Sequence, residues 1–247
     1  MSIESQRDLD GLRAAGRVVA LTLRAMAARV VSGITTAELD EVGAASLHEH
    51  GAFSAPRLAY GFPGATCISV SEEAAHGVPG PRRLRAGDLV KMDVSAELDG
   101  YVADACITVP VGQVAPGTRA LCRAARAALD AGIAAARAGV PVSAIGRAVE
   151  DETRRRGFDV IRELTGHGVG RAIHEPPTVP HFDDPNAREP LEAGLVLTIE
   201  PALTAGGRGL VTAADGWTLR TADGALTAQF EHTVVIGREG AQILTAA

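Results

Sequence analysis

Lysine is nearly missing from this 247-residue sequence: Lys91 stands alone against 23 arginines, a skew that carries no functional conclusion by itself. A surplus of positive charge is missing too. The formal net charge is −6, and arginine clusters only at Arg154-Arg155-Arg156, inside a helical pattern. That triplet reads as a solvated helix face, and no basic field exists to hold DNA or RNA. Cysteine is scarce: Cys67, Cys106 and Cys122 are odd in number and lack CxxC spacing. They argue for a reducing cytoplasm and against a structural zinc site. Arginines interrupt each apolar stretch, so nothing approaches the ~20 apolar residues of a membrane span. The opening MSIESQRDLDG is polar and acidic, unlike a secretory leader. What remains is an ordinary globular composition, 46% apolar and 22% charged, sized for one large domain or two fused halves.

The chain echoes itself. GITTAELDEVGAASLHEHG (33–51) and GVPVSAIGRAVEDETRRRG (139–157) run from Gly to Gly over the same length, each reading as a helix between turns. LRAGDLVKMD (84–93) matches LEAGLVLTIE (191–200) at nearly the same offset, and both apolar strands end on a carboxylate. Such repetition predicts a duplicated α+β unit, one catalytic domain over 1–247 with halves of about 1–115 and 116–247. Leu9, Leu12, Gly16, Val19, Leu23, Met26 and Val30 predict one long amphipathic helix. A second spans about 117–138, with Leu121, Leu129 and Ile133 inward. Strands are predicted at 66–71, 88–95, 101–110, 194–200, 209–212, 217–221 and 226–236. Asp-Gly pairs at 99–100, 215–216 and 223–224 supply hairpin signals. The pattern predicts antiparallel sheets covered by helices on one side.

Within DLVKMDVSAELDGYVADACITV (88–109), Asp93 and Asp104 sit among apolar strand residues. With Asp99-Gly100 as the turn, Asp93 falls opposite Cys106, and both aspartates share a face, roughly 7–8 Å apart. Like charges that close repel in a dry site; they must share a proton or share cations. The plainer reading buries one and leaves the other at a sheet edge. Glu200 in LVLTIEP and Glu231 in LTAQFEHTVVI add two more carboxylates in apolar strands, and four such charges would neutralise two divalent cations. LTGHGVGRAIHEPP adds His167 between glycines and His174, whose following Glu-Pro-Pro is expected to end any regular element. Imidazole with carboxylates makes a mixed N/O site suited to Mn, Fe, Co or Zn more than to Mg alone.

ISVSEEAAHGVP, MDV with DGYVADACITV, TGHGVGRAIHEPP, LTIEPAL and DGWTLRTADGALTAQFEHTVV occur in order and register across about residues 4–237. In this the chain resembles the type I methionine aminopeptidases, short bacterial form without an N-terminal zinc-binding extension. The resemblance implies the pseudo-two-fold "pita-bread" fold and removal of N-terminal methionine from nascent proteins whose second residue is small. By matching position, Asp93 would bind one metal through two oxygens, Asp104 and Glu231 would bridge both, and His167 and Glu200 would complete the other. His76 and His174 would contact the scissile peptide, and a metal-activated water would attack it with Glu200 taking the proton. Phe62, Cys67, Ile173 and Trp217 would line the methionine pocket. The family also implies a weak monovalent-cation site near Ser71 and Thr227.

Some positions depart from the family pattern. Ser71 replaces a common Asn, Pro56 and Ala59 stand where Cys and Tyr are common, and Ile173 replaces a Phe. These changes bear on pocket width and leave the metal ligands untouched. The expected setting is a cytoplasmic monomer acting on nascent chains, with ribosome association a family-level expectation. The competing readings are a proline-specific exopeptidase of the same fold and a non-catalytic peptide- or ribosome-binding relative. All five ligands, with His76 and His174, count against the second.

Overall fold

Two hydroxyls start the helical layer. In the computed structural model, which describes residues 1–246, Ser5 accepts the Asp8 N–H to open α1 (Gln6–Ala27). Thr35 forms a capping box with Glu38 to open α2 (Thr36–Glu49). α1 starts ahead of Leu9 and stops short of Val30, and it buries Leu12, Val19, Leu23 and Met26. β1 (Phe53–Ser54) and the short α3 (Ala55–Tyr60) lead to β2 (Cys67–Val70) and β3 (Glu73–Ala75). A long hairpin follows, β4 (Leu89–Leu98) and β5 (Tyr101–Pro110), turning through Asp99 and Gly100 at φ 51° and 79°. β4 pairs with β5 along one edge and with β1 and β2 along the other. α1 lies across β4 and β5.

α4 (Pro116–Ala135) and α5 (Ser143–Arg155) repeat the helix pair, as the echo predicted. The strands β6 (Asp159–Val160), β7 (Gly166–Gly168), β8 (Glu175–Val179), β9 (Val196–Ile199) and β10 (Ala202–Thr204) come next. The chain closes with β11 (Leu210–Thr212), β12 (Leu219–Thr221), β13 (Thr227–Gln229), β14 (His232–Ile236) and β15 (Ala241–Ile243). A five-stranded sheet runs β15-β14-β9-β7-β8, beside three-stranded sheets β13-β10-β6 and β11-β12-β3. α4 packs on β9, β10 and β13. No helix among the described residues is long and apolar enough to cross a membrane.

Several predicted elements come out differently. The run 226–236 breaks into β13 and β14, which belong to different sheets, and 194–200 ends at Ile199. Glu200 and Glu231 therefore stand at strand breaks and not within strands. Pro201 has no N–H to extend the β9 ladder, while the Glu231 N–H leaves its own strand to donate to Cys106 O at 2.9 Å. Glu-Pro-Pro does not end regular structure; it opens β8, an edge strand where proline's missing donor faces no partner. Asp223-Gly224 is not a hairpin turn, because β12 and β13 pair with other strands. Arg154, Arg155 and Arg156 lie exposed and pair with Glu150, Asp151 and Glu152, as a solvated face should.

Hydroxyls join the two halves where no ladder runs. Thr233 Oγ1 accepts the Asp104 N–H at 2.8 Å and donates to Asp104 O at 2.7 Å. Thr108 Oγ1 likewise donates to Gln229 O at 2.6 Å and accepts its N–H at 2.9 Å. These bonds hold β5 against β13 and β14. Lys91, 2% exposed, donates to Ser71 O and Thr227 O, and burial lowers its pKa to about 8.

Close packing of α5 sets a test. A Cβ at Gly146 would lie 2.2 Å from Phe182 O and 2.6 Å from Pro180 O, both backbone atoms. Gly146→Ala is expected to cost about 1–3 kcal/mol in urea unfolding. An unchanged midpoint would mean that the 180–182 segment yields freely.

Candidate metal centre and substrate cavity

Register sets the first two carboxylates. Asp93 pairs with Cys106 and Asp104 with Ser95, so both leave the same face of the hairpin. Glu231 is brought to them by its backbone bond to Cys106 and by the Thr233–Asp104 bonds. Asp104 and Glu231 are 6% and 2% exposed. Asp104 Oδ1 and Glu231 Oε1 are buried with no hydrogen-bond partner. Donor atoms of Asp104, His167 and Glu231 all lie within 4.8 Å of one another. Asp93 stands outside this tightest group, on its Asp104 side.

Glu200 is the most heavily oriented member. Its Oε1 accepts the Thr198 hydroxyl at 2.7 Å and lies 3.3 Å from His167 Nε2. Its Oε2 accepts from Gln229 Nε2 at 3.3 Å, and its own N–H donates to His181 Nε2 at 3.0 Å. Burial lowers the His181 pKa to about 4, so the ring is neutral and free to accept. His167 receives its orientation from Gly168 O, 2.9 Å from Nδ1, which leaves Nε2 toward the carboxylates.

A buried carboxylate oxygen without a donor costs several kcal/mol unless an ion completes it. Two such oxygens beside an imidazole nitrogen form a donor set that fits first-row divalent metal ions. The electrostatics agree. Burial lifts all four carboxyls, Asp93 and Glu231 farthest, and the Asp104 charge pushes the other three up further. Glu200 reaches about 8. Burial lowers His76, His167 and His174, keeping them neutral.

The carboxylates floor a cavity of about 260 Å³. Phe62, Cys67, Ile173 and Trp217 line it, with Phe62 and Trp217 edge to face at 5.3 Å. His76 and His174 line it as well, so the catalytic, pocket and divalent-metal residues named from sequence all reach this one space, while Ser71 and Thr227 lie apart from it. His76 is held at φ 54°, and the His174 ring lies 4.2 Å from that of His167. An outer cleft of about 480 Å³ shares His76, Asp93, His167, His174 and Glu200 and continues past Thr165 and Thr178.

Sequence reasoning missed Tyr60, which lines the cavity and stands 2.6 Å from His174 Nδ1. Ala59, the position compared with the family tyrosine, is exposed and off the cavity, whereas Pro56 lines it. The adjacent residue supplies the phenol. The half-exposed Tyr60 hydroxyl donates to Nδ1 in the tautomer that carries the His174 proton on Nε2. Ser95, Thr198, His181 and Gln229 were also unforeseen; the i, i+2 step from Asp93 was the one available signal, for Ser95.

A raised carboxyl pKa stabilises the fold below its unfolded value and loses that stability as pH climbs through the folded one. Without metal, Glu200→Gln should therefore melt above the unsubstituted protein, by a margin that widens from about pH 5 to about pH 8. A margin independent of pH would show that Glu200 does not carry the strain.

Residues 10–238 match metallopeptidase family M24. The chain is 42% identical over 247 residues to methionine aminopeptidase 2 of Bacillus subtilis (strain 168), covering 99% of each. It is 42% identical to a methionine aminopeptidase of Treponema pallidum (strain Nichols), over 98% of this chain and 95% of that one. The crystal structure of methionine aminopeptidase from Rickettsia prowazekii matches at TM-score 0.95 and 33% identity, over 99% of this chain and 100% of that one. A prolidase from Pyrococcus furiosus shares the fold alone, at TM-score 0.80 and 22% identity, and this chain covers 65% of it. With the match running nearly end to end, and with buried carboxylates and an imidazole converging as a metal centre, the chain belongs to metallopeptidase family M24 and has its pita-bread fold.

Proposed function

We propose that this chain is a metal-dependent aminopeptidase that removes an N-terminal methionine when the second residue is small. One observation carries the reading: unpartnered oxygens of Asp104 and Glu231, beside His167, floor a cavity whose apolar wall includes Phe62 and Trp217. At about 260 Å³ the cavity falls below the ~300–1,000 Å³ usual for larger ligands, a size suited to a single side chain. Asp93, Asp104, His167, Glu200 and Glu231 would hold two divalent cations, drawn from Co, Mn, Fe or Zn. Such ions, when bound, polarise a carbonyl and acidify a water.

The chain's own groups do the rest. Asp104 and Glu231, whose unpartnered oxygens meet beside His167, would hold the ions from both halves of the chain. Glu200, oriented by Thr198 and Gln229, takes the proton released on attack. His174, its proton held on Nε2 by Tyr60, and His76 donate to the oxygen that gains charge. The apolar walls exclude water from the methionine end. The 1–247 span acts as one catalytic unit, because ligands come from both halves. It works as a cytoplasmic monomer on nascent chains at the ribosome, where the free Cys67, Cys106 and Cys122 stay reduced.

The test is cleavage of Met-Ala-Ser, Met-Lys-Ser, Ala-Pro-Ser and Leu-Ala-Ser by chelated protein reloaded with each metal. Release of methionine from Met-Ala-Ser alone is expected. Cleavage of Ala-Pro-Ser would move the chain to the proline-specific branch, and metal binding without cleavage would favour a binding protein. In a variant series, Asp104→Asn or Glu231→Gln should lose turnover and metal together. His174→Ala should keep its metal while losing rate by roughly 10²–10⁴-fold; concurrent metal loss would reassign it as a ligand.

A further inference from the structure

The monovalent cation that the family resemblance implies near Ser71 and Thr227 meets an occupant there. Lys91, the single lysine of the chain, sends its side chain from the same face of β4 as Asp93, two residues on. Its Nζ lies 3.1 Å from Ser71 O and 3.2 Å from Thr227 O. Thr227 closes the cluster: its N–H donates to Ser71 O at 3.0 Å, and its hydroxyl reaches Ser71 O and Glu73 O at 3.0 and 3.1 Å. Among the described residues no carboxylate pairs with the amine directly. The nearby Glu72 and Glu73 pair instead with Arg82, at 3.1 and 2.6 Å.

A buried cation satisfied by backbone carbonyls alone is the chemistry of a sodium or potassium site, where such oxygens replace the ion's water shell. An ammonium is a compact point charge with three donors, and it serves the same carbonyls without having to be captured from solution. We propose that Lys91 is a tethered monovalent cation, its ammonium standing on the Ser71 and Thr227 carbonyls in place of a free sodium or potassium ion. The expected ion therefore does not fit this chain.

The position matters because each segment tied there ends in the site. Ser71, at φ 55°, heads the turn that delivers His76. Thr227 starts β13, which delivers Gln229 and then Glu231. β4 itself carries Asp93. One ammonium thus sets the backbone of three site-bearing segments, which makes Lys91 a positioning residue. Its hydrogen bonds go to backbone carbonyls, and it does not line the cavity.

The test replaces potassium and sodium with tetramethylammonium at constant ionic strength and reads the melting temperature, with kcat/KM on Met-Ala-Ser as a second reading. The melting readout is independent of whether the peptidase reading holds. Unsubstituted protein should show no dependence of either quantity on the small cations. A saturable rise with sodium or potassium would mean that a free ion is required, and would overturn the proposal whatever the variants do. Lys91→Asn, which opens the space, should melt lower by about 5 °C in tetramethylammonium and recover saturably with sodium or potassium. Lys91→Met, which fills the space without charge, should fall similarly and not recover. Loss in Lys91→Asn that neither ion restores would show that the carbonyls do not form a cation site.

Discussion

Four carboxylates gathered on the floor of one cavity, two of them buried and two partly so, set the terms for the rest of this molecule. Asp93, Asp104, Glu200 and Glu231 would each be solvated in an unfolded chain. Folding strips that water away and brings like charges together. The surrounding structure is arranged to hold them despite the repulsion. β4 and β5 fix two by register, and the Thr108 and Thr233 hydroxyls clamp the second half to β5. Thr198 and Gln229 orient the fourth. Protein donors satisfy much of this group but leave Asp104 Oδ1 and Glu231 Oε1 open, side by side with an imidazole. The residual mismatch is what a divalent ion relieves, so stability and chemistry share one cause.

Much of this could be read from residue order, for physical reasons. Period-two alternation and the Asp99-Gly100 turn determine which residues of 88–110 face each other, and Asp93 against Cys106 follows directly. Flanking glycines and helical spacing located α1, α2, α4 and α5 to within a few residues. What escaped was non-local. Whether 226–236 continues as one strand depends on Cys106, more than a hundred positions away, competing for the Glu231 N–H. Edge placement of β8, which makes room for two prolines, is a property of the finished sheet. Tyr60 lay one residue from the compared position, and nothing in the sequence indicated that its hydroxyl would find His174.

Fold and specificity separate in this protein. The prolidase likeness shows that the same scaffold serves another peptidase whose chain is much longer. On the proposed reading, selectivity rests on the cavity walls. Phe62 and Trp217, locked edge to face, fix one dimension of the pocket with two rigid rings. Ile173 and Pro56 determine how much space is left beside them. An aliphatic side chain at 173 gives a wall that can adjust by rotamer, whereas an aromatic one offers fewer states.

The lone buried lysine has one more consequence, and it concerns the outside of the molecule. With Lys91 sealed at 2% exposure, every basic side chain on the surface is a guanidinium or an imidazole. Guanidinium groups do not undergo the acylation, reductive alkylation or isopeptide formation that primary amines do. In its folded state the protein therefore offers no lysine side chain to acetyl transfer, ubiquitin-like tagging or amine-directed cross-linking. An ammonium at Lys91 becoming reactive would itself report that the interior had opened.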